Sequence, residues 1–274
     1  MKILITGKNG FIARHLCQKL THDNVVTLSD KTDDILLVLN SFEPDVIFHL
    51  GAELYNEDAM FEANVITVHK ILEWAKWRKT RLFLFGSSSE YGRVQNPMSE
   101  IDPLLPDTIY EGTKSAAYML ARSWSKVYNI QITYVRPFTI YGYDEKPNKF
   151  TSVLIRKFND KSVLKLNEAV HDYVYVEDFV NALIVIMNYK ETEHFNVVNI
   201  GSGKQTTNSD FVRMFQKELD YVYPIELVNN GKTYDSMHWV CDTHKLNTKY
   251  GVYIPSLESG IKRLVSFIKN GESS

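Results

Sequence analysis

Apolar residues in the first half of the chain fall in short unbroken runs rather than in strict alternation. Such runs occupy 2–6 (KILIT), 25–28 (VVTL), 46–50 (VIFHL), 81–85 (RLFLF) and 131–135 (QITYV). Runs of this kind suit strands buried on both faces, as in parallel sheets. Longer stretches with helical spacing separate them, notably 11–20, 63–77 and 109–128. Strand and helix alternating on this rhythm predict βαβ units and a doubly wound α/β sheet. After Tyr141 the pattern loosens. A polar loop at 144–149 leads to a helix, then 171–176, a further helix to about Met187, a strand at 196–200 and a final third of short elements. This region reads as a smaller C-terminal lobe closing over the strand ends, without internal repeats. The expected division assigns 1–142 plus about 173–190 to the sheet domain, and about 143–172 and 191–274 to the lobe.

Composition narrows the class. Of 274 residues, 44% are hydrophobic, enough for a buried core. The net charge is −2 with no lysine-rich run, so a nucleic-acid partner has no electrostatic footprint. Cys17 and Cys241 are far apart and lack metal-ligand spacing, so neither a disulfide framework nor a metal site is expected. No stretch approaches the ~20 apolar residues of a membrane span. The opening run is short and leads straight into a glycine turn, as a strand does and a signal peptide does not. A cytoplasmic protein is expected.

That turn, Gly7-Lys8-Asn9-Gly10-Phe11-Ile12-Ala13, follows the first strand and opens the first helix. Gly7 permits the tight turn, Gly10 lets a pyrophosphate approach the backbone, and Ala13 stands where helix and strand pack closely. The helix start offers N–H groups to phosphate. The first domain therefore reads as a dinucleotide-binding Rossmann domain. At the end of the second strand Ser29 and Lys31, with Lys8, suit a 2′-phosphate, whereas Asp30 suits free ribose hydroxyls. Either NADP(H) or NAD(H) is allowed, with the balance leaning to NADP(H).

Tyr110 and Lys114 are one helical turn apart and share a face. Thr108-x-x-Glu111 has the form of a capping box, which places the pair in the first turns of the helix. A neighbouring ammonium and the helix N-terminus both favour tyrosinate, so Tyr110 is expected to be a general acid/base poised near neutrality. The fourth strand ends in Gly86-Ser87-Ser88-Ser89-Glu90-Tyr91-Gly92, whose hydroxyls could bond the carbonyl that Tyr110 protonates.

Taken together, these motifs resemble the extended short-chain dehydrogenase/reductases, the nucleotide-sugar epimerase/dehydratase family, over nearly the whole chain. TGKNGFIA resembles the family's cofactor turn, HLGAE its cofactor-lining segment, and GSSSEYG its strand tip. YEGTK is similar to YxxxK, VRPFTIYG to the R-P-x-x-x-Y-G stretch near the nicotinamide, and HDYVYVED to R-D-F-x-Y-V-x-D. The resemblance implies cofactor contacts from Gly7, Asn9, Gly10, Phe11, Ile12, Ser29, Asp30, Lys31, Leu50, Gly51, Ala52, Tyr110, Lys114, Pro137 and Phe138. It implies catalysis by Tyr110 and Lys114 with a serine, Ser87 by ungapped spacing from Gly92 and Ser88 as the fallback. It implies substrate contacts from Ser88, Ser89, Glu90, Tyr110, Thr139, Lys149 and His171, and a homodimer formed through the helices at 63–77 and 109–128, with Trp74 and Trp77 on the first.

Three departures shape the expected reaction. Ser88 and Ser89 fill the slots where family dehydratases carry an acid, and Glu90 falls one place late. Ser89 and Lys149 lie near where keto-sugar reductases that also epimerise carry an acid/base pair. His171 replaces the arginine that contacts the nucleotide diphosphate, with Arg156, Lys157 or Lys165 as possible substitutes. The expectation is a reductase that converts a nucleotide-linked 4-keto-6-deoxy sugar to its 4-hydroxy product with NAD(P)H. The alternative is a nucleotide-sugar 4-epimerase with tightly held NAD. A cofactor-bound sensor without turnover is a third reading, and the intact Tyr110, Lys114 and serine set argues against it.

Overall fold

The unbroken apolar runs do form a parallel sheet. In the computed structural model, which describes residues 1–20, 25–29, 33–228 and 238–270, the chain opens with β1 (Lys2–Thr6), α1 (Phe11–Leu20), β2 (Val25–Ser29), α2 (Ile35–Phe42) and β3 (Val46–His49). It continues with α3 (Glu57–Phe61), a π-helical turn (Glu62–Ile66), α4 (Thr67–Ala75), β4 (Arg81–Phe85), a 3-10 turn (Ser88–Tyr91), α5 (Ile109–Tyr128) and β5 (Ile132–Pro137). Then come β6 (Thr139–Tyr141), α6 (Phe150–Asn159), β7 (Leu164–Asn167), β8 (Val170–Tyr175), α7 (Val176–Asn188) and β9 (Phe195–Ile200). The last elements are β10 (Gln205–Thr207), α8 (Asn208–Leu219), β11 (Ile225–Val228), α9 (His244–Tyr250) and α10 (Leu257–Lys269).

The chain groups into two compact units: Met1–Gly92 with Glu100–Pro137 and Met187–Asn199, and Arg93–Ser99 with Phe138–Ile186 and Ile200–Ser274. This differs from the expected division at 93–99, 138–142, 173–186 and 191–199. β8 pairs with β6 and β10, and β9 lies beside β5 at the edge of the large sheet.

In the first unit the strand order is β2-β1-β3-β4-β5-β9, with β1 to β5 parallel. The order reverses at β1, whose neighbours are β2 and β3. Ligands of open α/β sheets bind outside the strand ends at such a reversal. One face is sealed by Ile47, Ile71, Leu72, Leu82, Ala117 and Ala121, each nearly or wholly buried. The helix expected at 63–77 begins earlier, at Glu57, and is interrupted by the π turn. The interruption has a polar cause. Asn64 is buried, accepts from Glu53 N–H (2.9 Å), donates to the Glu53 carbonyl (2.9 Å) and donates to Thr113 Oγ1 on α5 (3.1 Å). α2 escaped the sequence reading because ILLVLNSF is apolar almost all round; Asp34 caps it by accepting Leu36 N–H at 2.9 Å.

The second unit holds a three-stranded sheet, β10-β8-β6, and a parallel pair, β11-β7. Tyr141, Tyr173, Phe211 and Phe215 fill its core. Its final third is less fragmentary than the sequence suggested, because α8 and α10 run for 12 and 13 residues from Thr207 and Ser256 caps. Asp172 on β8 ties the loops together. It is fully buried and accepts from Ser202 N–H and Oγ (both 2.6 Å), Gly203 N–H (2.9 Å) and Cys241 N–H (3.0 Å). Burial raises its pKa, and those donors pull it back. Asp172→Asn loses the charge and sets an amide against the backbone donors. It should cost about 2–4 kcal/mol, read as a lower denaturant midpoint at unchanged slope.

Candidate active site

At the reversal of the strand order, β1 leads into Gly7 and β3 leads into Leu50, Gly51 and Ala52. Gly7 has φ +72°, and a Cβ there would lie 2.9 Å from Gly51 Cα and N. The two strand tips thus meet backbone to backbone. The Ser29 carbonyl accepts Gly7 N–H (2.9 Å) and Lys8 N–H (3.2 Å), and the Gly7 carbonyl accepts Gly10 N–H (2.8 Å). A Cβ on Gly10 would sit 2.9 Å from that Gly7 carbonyl. The turn then enters α1 at Phe11 and Ile12, whose first-turn N–H groups lack partners within the helix. A cradle with no side chains at 7, 10 and 51 and a helix start behind it fits a dinucleotide pyrophosphate. Ser29 is itself buried, so it holds the turn through its carbonyl. Asp30 and Lys31 lie outside the described residues.

His49 belongs to the same junction. Its Nδ1 lies 2.8 Å from Thr6 Oγ1, which accepts Gly51 N–H (3.1 Å). Its Nε2 is buried without a hydrogen-bond partner among the described residues. Burial first, and then the Lys114 charge, lower its pKa to about 3.

The catalytic candidates converge at the end of β4. The Thr108 hydroxyl accepts Glu111 N–H (3.3 Å), and the Glu111 carboxylate accepts Thr108 N–H (3.0 Å). This capping box sets Tyr110 in the first turn of α5. The Ser87 side chain bears on the Tyr110 phenol and favours its ionised form. Ser87 Oγ is part-buried, whereas Ser88 is buried. Ser89 Oγ lies 2.7 Å from Ser87 Oγ. Lys114 is buried, and its Nζ donates to the Phe85 carbonyl at 2.8 Å.

The expected ionisation of Tyr110 is corrected here. Its pKa is pushed up to about 12, chiefly by burial, with Glu90, Glu111 and Tyr55 acting in the same direction and the Ser87 side chain opposing them. Lys114, with its ammonium on a backbone carbonyl, is lowered to about 8 by burial and supported by Glu90. Tyr110 is thus a phenol at neutral pH.

Glu90 is also corrected, as a substrate contact. It is fully buried, and Oε1 accepts Ser87 N–H (2.8 Å) and Tyr134 OH (3.0 Å) while Oε2 accepts Arg136 Nε (2.9 Å). The sequence reading quoted Arg136 only as part of a motif and gave no role to it, Tyr134 or Asn64. An arginine directly after the fifth run, an asparagine inside an amphipathic helix and the S-x-x-E spacing of Ser87 to Glu90 were the available signals.

Pro137 ends β5 in the first unit, and Phe138 is buried in the second. Within the second unit Thr139 Oγ1 lies 3.3 Å from His171 Nδ1. Lys149 heads α6. Arg156 donates to the Pro147 carbonyl (3.4 Å), and the Lys165 side chain is exposed.

A model of the NAD dependent epimerase/dehydratase family matches residues 3–201. A probable UDP-glucuronate 4-epimerase of Rhizobium meliloti (strain 1021) is 26% identical, over 80% of this chain and 82% of its own. A dTDP-glucose 4,6-dehydratase of Salmonella typhimurium (strain LT2) is 24% identical, over 97% and 92%. The crystal structure of a UDP-glucuronic acid 4-epimerase from Bacillus cereus, in complex with UDP-glucuronic acid and NAD, superposes with a TM-score of 0.86 at 22% identity, covering 98% of this chain and 99% of that one. The fold is that of the extended short-chain dehydrogenase/reductases. No helix among the described residues is long and apolar enough to cross a membrane.

The buried His49 generates a pH prediction. Between pH 6.5 and about 3 the unfolded chain binds a proton at this site that the folded chain refuses. Stability should therefore fall by about 1.4 kcal/mol per unit as pH drops through that window. Denaturant titrations of His49→Asn across the same range should lack this component of the slope; an unchanged slope would refute it.

Proposed function

The chain belongs to the NAD dependent epimerase/dehydratase family, and from that premise we propose that it is a nucleotide-sugar 4-epimerase working with tightly held NAD(H). The observation that carries the reading is Tyr110 in the first turn of α5 with Lys114 one turn along the same helix, its Nζ on the Phe85 carbonyl at the end of β4, next to the Ser87 strand tip. The glycine cradle of Gly7, Gly10 and Gly51, with Asn9, Phe11 and Ile12, would hold the cofactor, and Lys114 its ribose. NAD, when bound, supplies the acceptor and donor of a hydride at the sugar ring carbon. Tyr110 in its ionised form takes the proton of the hydroxyl on that carbon and, as the phenol, returns it, and the Ser87 hydroxyl bonds the same oxygen. The Lys114 charge assists each ionisation of Tyr110.

The site residues argue against dehydration, although a dehydratase is among the relatives, because Ser88 and Ser89 occupy the acid slots and the Glu90 carboxylate is committed to Arg136, Tyr134 and Ser87. Relatives that act as 4-epimerases, and a neighbour holding NAD, support epimerisation over the 4-ketoreductase and NAD over NADP. One observation favours the ketoreductase: a phenol at neutral pH is the form that donates a proton to a carbonyl.

Denaturing the purified protein and analysing its small molecules by mass spectrometry separates the two. We expect NAD at about one per chain, and interconversion of C4 epimers in a panel of UDP-hexoses followed by NMR. Tyr110→Phe should keep the NAD and lower kcat by about 10²–10⁴-fold. A site that empties on purification and then prefers NADPH would overturn the epimerase in favour of the reductase.

We further propose that α4 and α5 carry a homodimer face. Trp77, 84% exposed, packs edge-on against Tyr128 at 5.7 Å, whereas Trp74 is buried and donates to Asn40 Oδ1 (2.9 Å). Sedimentation should give a dimer for the unaltered chain and a monomer for Trp77→Glu; a monomer in both cases sinks the proposal.

A further inference from the structure

The Glu90 carboxylate has three partners on two segments, the strand tip and β5, and each segment carries or borders a candidate catalytic group. Its bond to Ser87 N–H fixes the strand-tip residue whose side chain bears on Tyr110. Its bond to Tyr134 OH reaches β5, and that same hydroxyl lies 3.0 Å from the Lys114 carbonyl on α5. Its bond to Arg136 anchors it from below. Arg136 is buried too, donates to Tyr91 OH (2.9 Å) and lies over the Tyr91 and Tyr118 rings at 4.7 and 4.6 Å. Gly86 completes the fit: a Cβ there would collide with Glu90 Oε1 and the Tyr134 ring. A carboxylate wedged against the strand tip without solvent exposure cannot meet a sugar, yet its charge is held beside the site.

We propose that Glu90 is a positioning residue. Its carboxylate sets Ser87 against Tyr110 and holds the positive charge of Lys114 in place, with Arg136 as its anchor. This rests on the assignment of Ser87, Tyr110 and Lys114 to the reaction. Electrostatics agree, since the Glu90 charge supports protonation of Lys114 and opposes ionisation of Tyr110. The other groups that bear on these two are His49 against Lys114, and Glu111 and Tyr55 against Tyr110. Arg136, Tyr91 and Tyr134 face Glu90 itself.

The test follows the Lys114 ammonium directly, without substrate. Protein labelled at lysine Cε is titrated by NMR, with Lys114 assigned through Lys114→Arg. Glu90→Gln keeps the shape and removes the charge. Because it leaves Arg136 buried beside a neutral amide, Glu90→Gln with Arg136→Met serves where the single variant does not fold. The Lys114 midpoint should fall by about half a unit or more in either variant, and Glu90→Asp, which keeps the charge, should stay nearer the wild-type value. In turnover assays Glu90→Gln should lower kcat by about tenfold or more with a small change in KM. A Lys114 midpoint unmoved in both neutral variants overturns the proposal, whatever happens to turnover, because packing alone would leave it unmoved. Absence of epimerase turnover in the unaltered chain would sink the functional reading, and the lysine titration would still decide this one.

Discussion

The cofactor end of the sheet depends on the approach of Gly7 to Gly51. Only a glycine at 7 lets the ends of β1 and β3 come together, because a Cβ there would lie 2.9 Å from the Gly51 backbone. Several features hang on that approach. The Gly7 carbonyl is placed to take Gly10 N–H, α1 starts where its first N–H groups meet the strand reversal, and Thr6 and His49 lock the junction from inside the sheet. The positive φ of Gly7 and its missing side chain serve one constraint, since the two backbones could not approach so closely with a methyl on Gly7 between them.

Much of this frame was legible in the residues. β1, α1, β4 and α5 lie where the apolar runs and helical spacing put them, because each is long or apolar enough for one period to dominate. The glycine turn and the tyrosine–lysine pair were legible for a related reason: their geometry is local, set by a strand end and a cap. The relation between distant polar groups was not. Glu90 looked like a displaced catalytic acid in the sequence, and only the position of Arg136, 46 residues later, shows which way its carboxylate turns. The ionisation of Tyr110 failed for the same reason. Lys114 is one turn away on the helix, but its ammonium goes to the Phe85 carbonyl, and burial outweighs the remaining attraction.

The second unit was harder to read because its strands are short and its order comes from single hubs. Asp172 gathers the backbone of Ser202, Gly203 and Cys241 from segments that share no periodic signal. The match to R-D-F-x-Y-V-x-D marked its position without disclosing that it acts through main-chain donors. The histidine next to it, at the first position of that pattern, lies opposite Thr139 across β6 and β8.

The π turn between α3 and α4 limits how this stretch can change in length. A π turn holds one residue more than a regular helix needs, and each residue advances a regular helix by about 100°. Removing one residue between Glu62 and Ile66 would heal the helix and leave α3 and α4 close to their present register, because the extra residue is absorbed within the widened turn. Met60 and the set Val68, Ile71, Leu72 and Trp74 would keep their places in the core, whereas Asn64 could no longer reach both Glu53 and Thr113. The surplus residue therefore serves a polar link between two segments and not the apolar seam of the helix.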